Sequence, residues 1–158
     1  MLELVRKASL DGADAILIGC FDDTGLGQAR EIATCPVIGI GQAAYHVAAM
    51  TGARFSVVTT LAVSVPILEE NVTAYGLSNH CARVRASGVE VLALENAPRV
   101  AAERVLSEIQ RAEIEDEIDC VALGCGGMSR LPAMVRQQTG LTPIDGVTSA
   151  VSVALALG

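Results

Sequence analysis

Asp14-Ala-Ile-Leu-Ile-Gly-Cys20 and Asp119-Cys-Val-Ala-Leu-Gly-Cys125 share one pattern: an acidic residue, a short apolar run, then Gly-Cys. A short apolar run bounded by turn-forming residues reads as a buried β-strand. Each run is followed by a Gly-containing loop and a helix-like stretch. A second match follows at similar distances: Cys35-Pro36-Val-Ile-Gly-Ile-Gly41 and Thr142-Pro143-Ile-Asp-Gly146, each leading into an Ala-rich helix. The chain thus contains a strand–loop–helix–Pro–strand–helix unit twice, with a thiol at the same place in both. Packed about a pseudo-twofold axis, the two copies would set their strand-end cysteines facing each other across one cleft.

Strand-like and helix-like segments alternate throughout, which predicts an α/β protein with mainly parallel sheets. Strands are expected at 14–19, 37–40, 54–60, 81–86, 89–94, 120–124 and 142–145. Helices are expected at 2–10, Gly25 to Ala33, Gln42 to Met50, from Pro66 to near Gly76, Pro98 to Glu117, 130–138 and 147–157. Ser64 is a candidate cap for the helix opened by Pro66. Val100, Val105, Leu106, Ile109 and Ile114 form the expected apolar stripe of the long helix. The reading is two pseudo-symmetric Rossmann-like lobes, residues 1–52 and 53–146, with the helix 147–158 crossing back to the first lobe. The first lobe is expected to be truncated at its N-terminal side, with two strands against about five in the second.

A chain of 158 residues with 51% hydrophobic and 18% charged residues buries a core and is not disordered. Aromatics are only 3% and the net charge is −7, so stacking platforms and a basic face for nucleic acid are missing. No apolar stretch reaches membrane-spanning length, and Met-Leu-Glu-Leu-Val-Arg-Lys7 is no signal peptide, which makes the cytoplasm the expected location. The five cysteines form no Cys-x-x-Cys pair and no zinc-like spacing, so no metal is expected.

In parallel α/β sheets, ligands bind where strands end and loops lead into helices. Cys20, Thr59, Thr60 and Cys125 fall at such ends. Helix N-termini lower thiol pKa values and hold anionic oxygens. Gly126-Gly127 leaves bare amides beside Cys125, suited to a carbonyl oxygen that becomes enolate-like. Each cysteine alone reads as a small core residue, and the repeat favours function for the pair. Cys35, Cys81 and Cys120 read as structural. Asp22 and Asp23 either orient a ring N–H or cap the helix over Thr24-Gly25. Thr59 and Thr60 could donate to a substrate oxygen. His46 and His80 read as structural or surface residues. Gly39-x-Gly41 is a weak match to a dinucleotide fingerprint.

Ile18-Gly-Cys20-Phe-Asp-Asp-Thr-Gly-Leu26, Arg54-Phe-Ser-Val-Val-Thr-Thr60, Leu123-Gly-Cys-Gly-Gly-Met128 and Ile144-Asp-Gly-Val147 resemble the aspartate/glutamate/hydantoin racemase superfamily, with the order preserved over nearly the whole chain. Its hydantoin and allantoin branch is the nearest match. The resemblance implies two pseudo-symmetric lobes, a cysteine from each, and no cofactor. Carried over, Cys20 and Cys125 are the acid/base pair, and Phe21, Asp22, Thr59, Thr60, Gly126, Gly127 and Met128 line the substrate. It also implies an opening strand–helix–strand segment with an Asn-Pro-Asn-Thr/Ser loop that this sequence does not contain, and His80 stands where a basic Arg is common before Cys81.

The expected function is racemisation of a 5-substituted hydantoin or a related cyclic ureide such as allantoin, by a homo-oligomer that binds neither nucleic acid nor membrane. Alternatives are decarboxylation or cis–trans isomerisation on the same scaffold, or a non-catalytic paralogue.

Overall fold

The computed structural model describes residues 1–52 and 54–157. In chain order the elements are α1 (Leu2–Leu10), β1 (Ile16–Ile18), α2 (Leu26–Ile32), β2 (Val37–Gly39), α3 (Ile40–Thr51), β3 (Phe55–Thr59), α4 (Val65–Ala74), β4 (Cys81–Ala86), α5 (Ala93–Asn96), α6 (Pro98–Glu115), β5 (Cys120–Gly124), α7 (Pro132–Gln138), β6 (Thr142–Asp145) and α8 (Gly146–Leu157). Short 3₁₀ turns at Ala62–Ser64 and Gly126–Met128 complete the order.

Among the described residues two sheets form, both parallel: β1-β2, and a four-stranded sheet ordered β4-β3-β5-β6. β3 and β5 are buried along their whole length, as expected of a parallel strand with helices on both faces. Phe55, Val57, Cys120, Ala122 and Ile144 face one core with Ala44, Tyr45 and Leu68 of α3 and α4. Val58, Val121 and Leu123 face the other, with Val105, Ile109 and Val135 of α6 and α7. A small third core, including Val5, Ile18, Leu26 and Val37, sits between α1, α2 and the β1-β2 sheet.

Helix α3 leaves β2 yet packs on β5 and β6, while α8 leaves β6 and packs on β1 and β2 as well as on α3. The exchange is reciprocal. Val153 of α8 lines a groove of about 540 Å³ with Arg30, Pro36 and Gln42 beside β2. Val47 of α3 lines a groove of about 370 Å³ with Arg136, Pro143 and Thr148 beside β6. Mutual contacts of this kind are what a twofold relation between repeats generates.

Several expectations need correction. Residues 89–94 are not a strand: a turn leads into α5, with Ala93 N–H donating to Glu90 O and Leu94 N–H to Val91 O. The four-stranded sheet already ends at β4, so this segment closes its own backbone hydrogen bonds locally. Val100 and Ile114 of α6 are exposed, and Ala101, Ala102 and Ala112 take the buried positions. Ser64 stands at the N-cap of α4 without a side-chain capping bond. The division at 52/53 falls on Ala53, and helix 147–158 ends on Gly158, both outside the described residues; the largest core runs across α3 and the four-stranded sheet. No described helix is long and apolar enough to cross a membrane.

Candidate active site

Parallel pairing puts all strand C-termini of a sheet on one side, so β1, β3 and β5 deliver Cys20, Thr60 and Cys125 to loops at sheet ends. The two sheets bring the first and last of these together. A Cβ placed on Gly126 would lie 3.5 Å from the Gly19 carbonyl oxygen and 3.5 Å from Ile40 Cδ1. The residue before one thiol thus meets the residue after the other. Cys20 is exposed and Cys125 half-buried, and both are free thiols.

Burial pushes the Cys125 thiol up, the Gly127 backbone hydrogen bond pulls it down, and negative charge on Cys20 or Asp22 would raise it further. The protonated form of Cys125 is therefore favoured. Asp22 is half-buried and burial raises its carboxyl too. The loop after Cys125 closes on itself: Met128 N–H donates to Cys125 O at 3.0 Å and Ser129 Oγ to Gly126 O at 2.6 Å. A cavity of about 240 Å³ adjoins this loop, lined by Leu94, Glu95, Gly126, Gly127, Ser129 and Arg130. The larger groove beside β2 includes neither Cys20 nor Cys125 in its lining.

Four of the residues expected to line substrate, Phe21, Thr59, Thr60 and Met128, are buried. Phe21 is buried in the main core, edge-on to Tyr45 with ring centroids 5.4 Å apart. Met128 is fully buried in the second core. Thr59 is buried and donates its hydroxyl to Gly124 O at 2.9 Å, tying β3 to β5. Thr60 is also buried, and its carbonyl accepts from Gly88 N–H at 2.8 Å. Asp22, Gly126 and Gly127 remain on the accessible side with the thiols.

Asp23 proves to be the organising residue of the first loop. It is a cap, but for α3 and not for α2: its carboxylate accepts from Gly41 N–H at 3.1 Å and Gln42 N–H at 2.6 Å. Tyr75 Oη–H donates to the same group at 2.9 Å. Burial raises its pKa, against the lowering effect of these three bonds and of Arg30. Its backbone is left-handed, with φ of 52°. Gly39-x-Gly41 is the space this carboxylate occupies: a Cβ on Gly39 would lie 2.0 Å from Asp23 Oδ1, and one on Gly41 would lie 2.2 Å from Phe21 O. The glycine pair therefore admits a carboxylate to a helix N-terminus, where the helix dipole favours negative charge. The sequence signal was present in those glycines, but its target lies sixteen to eighteen residues upstream. Among the described residues no three His, Cys, Asp or Glu side chains gather to hold a metal ion.

The family model for Asp/Glu/hydantoin racemase matches residues 1–154. A hydantoin racemase of Rhizobium meliloti is 50% identical over 157 residues, covering 99% of this chain and 65% of the relative. The structure of allantoin racemase from Klebsiella pneumoniae superposes with a TM-score of 0.94 at 40% identity, covering 99% of this chain and 64% of that one. Glutamate racemase from Francisella tularensis, at 17% identity and a TM-score of 0.70, shares the fold; the match covers 99% of this chain and 61% of that one. The chain belongs to the Asp/Glu/hydantoin racemase family, and it spans about 65% of the length of that Rhizobium relative.

Proposed function

We propose that this chain carries the two acid/base thiols of a cofactor-independent racemase acting on 5-substituted hydantoins or related cyclic ureides such as allantoin. The observation that carries the reading is the meeting of the two Gly-Cys strand ends, with Gly19 O against Gly126 and Cys125 in the field of Cys20. The hydantoin and allantoin racemases among its relatives support the substrate class.

In one direction, the Cys20 thiolate takes the proton from the stereogenic carbon and the Cys125 thiol protonates the opposite face. The reverse direction exchanges the roles. Cys125 is suited to begin as the acid, because burial favours its protonated form. The carbanion delocalises into the adjacent ring carbonyl, and loop amides near Gly126 supply hydrogen bonds to the developing oxyanion. Asp22 disfavours a free carboxylate beside the thiols, which argues for neutral rings over aspartate or glutamate.

The test is stereochemical. Cys20→Ser and Cys125→Ser should each abolish racemisation, followed as loss of optical rotation. Each should still exchange deuterium into one enantiomer, and the two variants should differ in which one. Full racemisation by Cys125→Ser would overturn the reading.

A further inference from the structure

Each thiol loop closes a backbone turn on its cysteine, Asp23 N–H to Cys20 O and Met128 N–H to Cys125 O, both at 3.0 Å, but the two differ in what else ties them down. The Cys125 loop is closed by its own backbone and Ser129. The Cys20 loop is tied in addition to α4, a helix that follows β3 of the other sheet. Asn71 Nδ2 donates to Asp22 O at 2.8 Å, and Tyr75 Oη donates to Asp23 Oδ2 at 2.9 Å. One turn of helix separates these donors, so both reach the same loop from the same face. Phe21 pins the loop from beneath, against Tyr45, whose ring centroid lies 6.1 Å from that of Tyr75. Cys20 itself is exposed and is set by this frame.

We propose that Asn71 and Tyr75 are positioning residues for Cys20, holding one of the two thiols at its face of the substrate carbon while leaving the other untouched. The assignment rests on the reading that both thiols transfer protons. Neither residue touches the reacting atoms; each acts through the backbone or carboxylate of the loop. Proton transfer is steep in geometry, and a misplacement of about 1 Å can cost about 10²-fold in rate. Loss of either donor should therefore weaken the Cys20 half of the reaction selectively.

The measurement is deuterium incorporation at C5 of each pure enantiomer of 5-isobutylhydantoin and of allantoin, with Cys125→Ser identifying the enantiomer that Cys20 serves. Asn71→Leu and Tyr75→Phe preserve size and are compared with Thr73→Val. Thr73 lies on the same helix, and its hydroxyl donates to Glu69 O and accepts from Ser78 Oγ. Each test variant should slow exchange of the Cys20 enantiomer by about ten- to hundredfold, with the Cys125 enantiomer and the Thr73 control within about twofold. A merely structural lesion would slow both enantiomers together, and that result, or no slowing at all, overturns the assignment. Absence of exchange into either enantiomer by the unsubstituted chain would instead overturn the functional reading beneath it, and the assignment with it.

Discussion

Replacing Arg85 by Ala tests the most heavily charged interior of the molecule. The Arg85 side chain is 5% exposed and Asp116 is 2% exposed. Arg85 Nε and Nη2 donate to the two oxygens of Asp116 at 2.7 and 2.6 Å, Nη2 also reaches Glu115 at 2.7 Å, and Nη1 reaches Glu108 at 3.0 Å. Ser56 Oγ adds a further bond to Asp116 at 2.7 Å. Removing the guanidinium leaves a buried carboxylate with only the Ser56 hydroxyl and a more distant Arg83 at 3.6 Å. Breaking a buried pair from one side costs about 3–5 kcal/mol. For a chain of this size that lowers Tm by roughly 6–20 °C, at about 2–4 °C per kcal/mol. Desolvation acts to raise the Asp116 pKa, but the Arg85 and Ser56 hydrogen bonds outweigh it and hold the group below its ordinary 3.8. A depressed carboxylate pKa contributes stability above the unfolded value and loses it as pH falls through the folded value. The variant's deficit should accordingly be largest near pH 7 and shrink below about pH 4. Urea unfolding followed by circular dichroism at pH 7 and pH 3 measures both. A deficit under about 1 kcal/mol at pH 7, or one that grows on acidification, would refute the argument.

Other outcomes follow from the site and its supports. Asp23→Ala should cost about 2–4 kcal/mol in urea unfolding, since it removes the α3 cap and strands the Gly41 and Gln42 amides; a loss below about 0.5 kcal/mol would contradict that role. Gly124→Ala should destabilise by about 1–3 kcal/mol, because the new methyl would lie 2.9 Å from Thr59 Cα in the middle of the sheet; an unchanged thermal midpoint would count against it. The alkaline limb of the racemisation profile should lie above the ordinary thiol pKa of 9.0, because burial raises Cys125; a limb below that value would argue against Cys125 as the acid. The exposed Leu17 of β1 and Leu155 of α8 lead us to expect association in solution, with light scattering giving a mass above 16.3 kDa; a strict monomer would sink this.

Where the sequence repeated itself, the structure was legible. The two Gly-Cys runs became β1 with its following loop and β5 with its following turn, and the Pro-led runs became β2 and β6. Apolar periodicity located the long helix, although it could not tell that Val100 and Ile114 face water while small alanines face the sheet. The strand-like run Val89 to Leu94 failed because strand formation needs a partner edge, which local composition does not encode. The burial of Phe21 was not legible either: lying next to a thiol in sequence says nothing about which way an aromatic ring turns, and this ring packs on Tyr45. Asp23 lies far in the chain from Asn71 and Tyr75, so only folding reveals that the three meet at one loop.

The reciprocal placement of α3 and α8 has a consequence for how the molecule can be divided. Each helix is anchored by its own strand but spends its apolar face on the neighbouring sheet. Like two people with linked arms, neither half can step away and remain whole. A fragment ending at residue 52 would present α3 with no sheet to rest on, and a fragment starting at 54 would leave the β3 face bare. The gap between the thiols is thus fixed by shared packing, and the two halves should melt in a single cooperative transition.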